Sequence, residues 1–101
     1  MRQAAASAMA KPEPSRVAAA RTLAQLLRRQ GSLSRLLPAA NASVVPRDRP
    51  LLGELCYGVC RYYPRLQGLL DLLVNKPLKA KDADIRALLL LGLYQLQYTR
   101  I

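Results

Sequence analysis

At 101 residues the chain has room for one small domain, and with no Trp, no Phe and five Tyr its core has to be built from Leu, Val and Ala, mostly good helix formers. Sixteen Lys and Arg stand against six Asp and Glu, a formal net charge of +10, and twelve of the sixteen are Arg, whose planar fork suits phosphate. That excess points to a polyanionic partner such as RNA, DNA or anionic lipid, the plainer alternative being a basic surface that only keeps the chain soluble, while the absence of His removes the commonest general base and a usual zinc ligand.

Residues 1–14 end in Lys11-Pro12-Glu13-Pro14 and read as a disordered leader, since two prolines in three positions forbid a helix there. Its Ala-rich composition is too feebly apolar for an export signal but is compatible with a transit peptide. Ser15 offers an N-cap and Gly31 a C-terminal stop, bracketing a helix over 16–30. Val17, Ala20, Leu23, Ala24 and Leu27 share its inner side; Arg21, Thr22, Gln25, Arg28 and Arg29 share the outer one. Ser32 then caps a short helix over 33–37, and a loop follows over 38–47, bounded by Pro38 and Pro46. Asp48 is placed to cap a helix over 49–62, with Pro50 harmless in its first turn and Leu52, Leu55, Cys56, Val59 and Cys60 along one side. Pro64 starts a new helix over 64–74 at an angle, with Leu66, Leu69, Leu70 and Leu73 as its stripe.

After the basic connector Lys79-Ala80-Lys81, Asp82 and Asp84 open a final helix that is apolar almost all round from Ile85 to Leu96. Such a helix has to be surrounded by others. Only four helices precede it and the chain stops five residues past Leu96, so about half of its eight large apolar side chains are expected to lack a cover. This points to a domain that continues further and, for the isolated chain, to self-association through the uncovered helix. No stretch alternates with period two, so the fold class is all-α.

Catalytic chemistry is not legible. No Gly-rich loop follows a strand, so neither a nucleotide P-loop nor a dinucleotide fingerprint is present. Glu54 and Asp71 fall on separate helices with no spacing that pairs them. Cys56 and Cys60 lie on one apolar stripe and read as reduced packing residues rather than a disulfide, a metal pair or a nucleophile. The Leu-rich run 87–96 is far short of the ~20 residues that cross a bilayer, so a soluble, cytoplasmic protein is expected.

Two stretches carry a family resemblance. One is Asp48-Arg49-Pro50-Leu51-Leu52-Gly53-Glu54-Leu55-Cys56-Tyr57-Gly58-Val59-Cys60-Arg61, followed by Leu69-Leu70-Asp71 and Lys76-Pro77-Leu78; the other is Ala87 to Ile101, with Gly92-Leu93-Tyr94-Gln95-Leu96 and Tyr98-Thr99-Arg100-Ile101. Together they resemble the NusB-like N-terminal domain of the bacterial 16S ribosomal RNA (cytosine-5) methyltransferase B family, and the resemblance covers residues 15–101. It implies a NusB-like helical bundle of about five helices whose final ones lie further on. It also implies 16S ribosomal RNA as partner, and a later catalytic domain of the same protein that uses S-adenosylmethionine. No cofactor or catalytic residue is expected within this chain, which alone is expected to be inactive. The stand-alone NusB antitermination factor shares the fold, but its N-terminus carries a denser arginine run and it lacks this ending. A helical interaction module that binds no RNA is the reading from another class.

For an RNA-binding domain the candidate contacts are Arg21, Arg28 and Arg29 on the outer side of the first helix, Arg47 and Arg49 before the third, and Arg61 and Arg65 around Pro64. Around Pro64 the arginines interleave with Tyr62 and Tyr63, which either stack a base or, more commonly, pack within the domain. Lys76, Lys79 and Lys81 form a second basic edge.

Overall fold

The computed structural model describes residues 11–98. They form five helices: α1 (Ser15–Leu27), α2 (Leu33–Asn41), α3 (Arg49–Arg61), α4 (Tyr63–Leu73) and α5 (Ala83–Tyr98). Short 3-10 turns at Pro46–Asp48 and Ala80–Asp82 lead into α3 and α5, and no strand occurs among the described residues. The all-α expectation therefore holds. Of the expected leader, residues 1–10 lie outside the described part, as do Thr99, Arg100 and Ile101 of the terminal motif. Residues 11–14 are not helical, yet Glu13 is fastened to the bundle: its N–H donates to the Ser43 carbonyl at 2.7 Å.

The α1 helix is the hub, packing against α5, α3 and α2. It achieves this with small side chains. Ala18, Ala19, Ala20 and Ala24 are buried with Leu23, and so is Thr22, whose Oγ1 discharges its hydrogen bond on the Ala18 carbonyl at 2.7 Å. The expected faces need correction here: Thr22 belongs to the inner side, whereas Val17 is 50 % exposed. With neighbours on three sides the buried arc is wider than a stripe of large residues suggests; close approach of backbones favours Ala, and Thr22 is admitted because its hydroxyl is satisfied within the helix.

The ends of α1 also differ from expectation. Ser15 is a buried first-turn residue and Pro14 occupies the cap position. At the other end the helix stops at Leu27, before Gly31. The Arg29 N–H bonds the Leu26 carbonyl and the Gln30 N–H the Gln25 carbonyl, both at 3.0 Å, with Arg29 at φ 59°. That is a Schellman closure with arginine in the left-handed position usually held by glycine. In α2, Pro38 does not end the helix, which runs on to Asn41. Proline deletes one hydrogen bond, and the exposed Pro38 ring leaves the remaining turn intact.

Asp48 sits at the N-cap position of α3 without a side-chain cap bond, because the preceding 3-10 turn already holds it in a helical conformation. The stripe on α3 is as expected, with Leu52, Leu55, Cys56 and Val59 buried and Cys60 half-buried. On α4 only Leu66 and Leu70 are buried; Leu69 is intermediate and Leu73 exposed, so half of the expected stripe lacks a neighbour.

The turn before α5 is closed reciprocally, Lys79 N–H to Asp82 Oδ2 at 3.1 Å and Asp82 N–H to Lys79 O at 2.9 Å. One face of α5, Ala87, Leu90, Leu91 and Tyr94, is buried against α1, α3 and α4. The opposite face carries Ile85, Leu88, Leu89 and Leu96 in the open, which is half of the eight large apolar side chains. Where α5 crosses α3, Gly58 makes room for Tyr94: a Cβ on Gly58 would lie 2.2 Å from Tyr94 Cζ.

Candidate nucleic-acid interface

The seven candidate arginines separate by what already holds them. Arg21 grips Glu13 with both arms of its guanidinium, Nη2 to Oε1 at 2.6 Å and Nε to Oε2 at 3.2 Å, and also reaches Ser43 Oγ at 3.2 Å. The bonds from Arg21 and Ser43 hold the Glu13 carboxyl below its ordinary range. Arg28 makes the same two-armed contact with Asp84 at the start of α5, both distances 3.1 Å, and its bonds hold that carboxyl low as well. Arg49 braces the preceding loop, Nε donating to the Asn41 carbonyl at 2.9 Å. These three are structural ties within the bundle.

The other four are exposed. Arg47 touches only Asp48, at 3.9 Å, and Arg29, Arg61 and Arg65 meet no carboxylate among the described residues. They do not gather at one point: Arg47 lies in the turn before α3 and Arg61 at its far end, with the helix between them about 18 Å long at 1.5 Å per residue. Arg61 and Arg65 are neighbours across the α3–α4 junction. Arg35, exposed on α2 and absent from the expected contacts, likewise meets no carboxylate among the described residues.

The tyrosines near Pro64 are packing residues. The Tyr62 ring stacks on Tyr98 with centroids 3.9 Å apart and planes 8° from parallel, and Tyr94 adjoins both. Burial, with Glu54 and Tyr62 nearby, raises the Tyr94 phenol above its ordinary pKa against the opposing pull of Arg61, so it remains a neutral hydroxyl at neutral pH. Tyr63 accepts a hydrogen bond from Arg86 Nη2, and the Arg86 guanidinium carbon lies 5.6 Å from its ring centre. Tyr57, half-exposed one helical turn before Arg61, is the tyrosine left facing outward.

Arg86 is the functional-looking residue that the sequence reading missed. A lone cation inside the apolar run of α5 was a signal available from the start. Its Nε donates to Gln67 Oε1 at 2.9 Å, and Gln67 Nε2 donates on to Asp71 Oδ1 at 2.8 Å.

Apolar surface is concentrated elsewhere. A recess of about 290 Å³ opens between α1, α3, α5 and the start of α4, lined by Leu23, Leu26, Leu27, Val59, Cys60, Tyr63 and Leu90. Burial pushes the Cys56 thiol up to about 12 and raises Cys60 too, which keeps both protonated and unreactive at neutral pH. No group of three potential metal ligands occurs among the described residues, and none of their helices is long and apolar enough to cross a membrane.

Residues 13–101 match the model of the NusB family. The chain is 54 % identical over 86 residues to the ribosomal RNA small subunit methyltransferase B of Pseudomonas putida, 50 % to that of Pasteurella multocida and 49 % to that of Vibrio cholerae. Each alignment covers 85 % of this chain but only 19–20 % of the relative, so the chain spans about a fifth of the length of the curated proteins it matches. No solved structure matches it.

Proposed function

Since the chain belongs to the NusB family, we propose that it is the RNA-binding module of a cytoplasmic ribosomal RNA small-subunit methyltransferase, holding 16S ribosomal RNA for a catalytic domain of the same protein. In this reading S-adenosylmethionine and the methyl-transfer chemistry belong to that later domain, and no residue here is assigned to either. The observation that carries the proposal is the imbalance of charge at the surface. Only three carboxylates among the described residues, Glu13, Asp48 and Asp84, come within ion-pair distance of a basic side chain. Arg29, Arg35, Arg61, Arg65, Lys76, Lys79 and Lys81 are left exposed to meet phosphate.

The bare face of α5 has a place in the same reading. The relatives carry about four-fifths of their length outside the aligned stretch, and Ile85, Leu88, Leu89 and Leu96 are the surface that such a part would cover.

The test is binding of a single-stranded oligonucleotide of ribosomal RNA sequence, followed by fluorescence anisotropy at increasing salt. Affinity should fall steeply, and replacing Arg29, Arg35, Arg61 and Arg65 by Gln should flatten the log–log slope by up to ~3 units, at ~0.7 per phosphate contact. Arg21→Gln should leave the slope almost unchanged, because that guanidinium is already committed to Glu13. Absence of salt-dependent binding would overturn the proposal.

A further inference from the structure

Between α4 and α5, under the connector that joins them, lies a recess of about 220 Å³. Leu70, Val74, Pro77 and Leu78 form its apolar walls, and Gln67, Asp71 and Arg86 its polar side. Its polar side sets it apart from the recess lined by Leu23, Leu26, Leu27, Val59, Cys60, Tyr63 and Leu90.

The polar side is unusual in its electrostatics. Arg86 is half-buried, and no carboxylate reaches it; the groups that hold it, Gln67 and Tyr63, are neutral. A partly buried cation without an anionic partner is costly for a fold to keep. Its Nε and Nη2 are occupied, which leaves Nη1 without a hydrogen-bond partner among the described residues. Asp71 is in the complementary position: Oδ1 accepts from Gln67, and Oδ2 has no partner. The recess thus presents a spare donor and a spare acceptor on one hydrogen-bonded frame, between apolar walls.

A bare anion suits such a site poorly, because the Asp71 carboxylate would oppose it. A flat ring carrying both an acceptor and a donor on its edge satisfies both groups, and the walls exclude water from its faces. Lys76, Lys79 and Lys81 are exposed on the connector beside the recess, where phosphates on either side of an inserted ring would lie. We propose that this recess takes one unpaired nucleobase of the bound RNA, with Arg86 and Asp71 addressing its edge and the connector lysines its flanking phosphates. The proposal rests on the RNA-binding reading above and adds to it a base-binding site.

Recognition of an unstacked base differs from backbone binding in one measurable way: it needs the base. The experiment compares the whole chain binding a short single-stranded RNA with its binding of an oligonucleotide of equal length and charge that lacks bases. The intact RNA should bind about tenfold tighter, within the range found for single base contacts. Val74→Phe fills the recess without changing any charge; it should remove that advantage and leave the salt slope as it was. Asp71→Ala removes an exposed side chain whose one hydrogen bond goes to the half-buried Gln67, and should reduce the advantage without unfolding the chain, a guard against Val74→Phe failing to fold. Equal binding of the two oligonucleotides, with steep salt dependence, would overturn the base site and leave the RNA-binding reading standing. Full affinity in both variants would likewise overturn it. If neither oligonucleotide binds at low salt, both readings fall together.

Discussion

The first and last helices lie against each other and are built on opposite terms. α1 buries Ala18, Ala19, Thr22 and Ala24 almost completely, a set with little apolar surface to offer, while α5 leaves Leu88 58 % and Leu96 78 % exposed. Hydrophobicity therefore did not decide burial; position did. α1 has neighbours on three sides and needs small residues to let them approach, whereas α5 has more apolar surface than its four companions can cover. A closed helix of small residues tells where the bundle's centre is. An incompletely covered helix of leucines tells where the bundle leaves apolar surface open.

The sharpest way to break this contrast is to make the same change on the two faces of α5. Leu90 is 1 % exposed, so Leu90→Ala should cost about 2–5 kcal/mol in urea unfolding, while Leu96→Ala should stay within about 0.5 kcal/mol. Gly58→Ala should fall between them, at about 1–3 kcal/mol, because the new methyl group meets a Tyr94 ring that Tyr62 and Tyr98 hold in place. Equal losses at Leu90 and Leu96 would mean that the outer face is covered too, as it would be in a self-associated chain. Sedimentation at the same concentration distinguishes that case.

Much of this arrangement was legible in the sequence. Apolar periodicity found four of the helices and cap and breaker residues the short second one, and the excess of leucine between Ile85 and Leu96 foretold that half of that helix would be bare. Periodicity failed where polarity misled it: Thr22 and Val17 exchanged faces, and the hydroxyl that marks Thr22 as an outer residue satisfies itself on the Ala18 carbonyl of its own helix. It also failed at Pro38, where a breaker residue broke only one hydrogen bond. At the candidate interface, charge identified the arginines but not their commitments. That Arg21 and Arg28 hold Glu13 and Asp84 depends on contacts 8 and 56 residues apart, which no local pattern encodes.

The end of α1 offers a smaller test. Arg29 occupies a left-handed conformation that costs an ordinary residue about 1–2 kcal/mol and glycine little. Arg29→Gly should raise stability by about 1 kcal/mol in urea unfolding while removing one of the four exposed arginines assigned to phosphate. Stability and RNA affinity should then move in opposite directions. A rise in both would free Arg29 from the interface, and a fall in stability would mean that its side chain supports the bundle.

The smallest effect concerns the tie between the two helices of the opening contrast, Arg28 at the end of α1 and Asp84 at the start of α5. Bonding to Arg28 lowers the Asp84 pKa, and the same bond raises that of Arg28, which stays charged throughout the usable range. A carboxyl whose pKa is lower in the folded chain stabilises it above the unfolded value, and that contribution disappears as the pH falls through the folded value. The tie should thus be intact at neutral pH and lost only in acid, below the ordinary carboxylate range. Glu13 follows the same sign, with its pKa lowered by Arg21 and Ser43, and it is the less exposed of the two, with 29 % of its side chain accessible against 71 % for Asp84. Exposure weakens an ion pair and lets salt screen it. The acid-induced fall in Tm should therefore shrink more in Glu13→Gln than in Asp84→Asn, and molar salt should erase the Asp84 share first. The reverse order would show that the tie between α1 and α5, rather than the anchoring of residue 13, carries the acid sensitivity of the bundle.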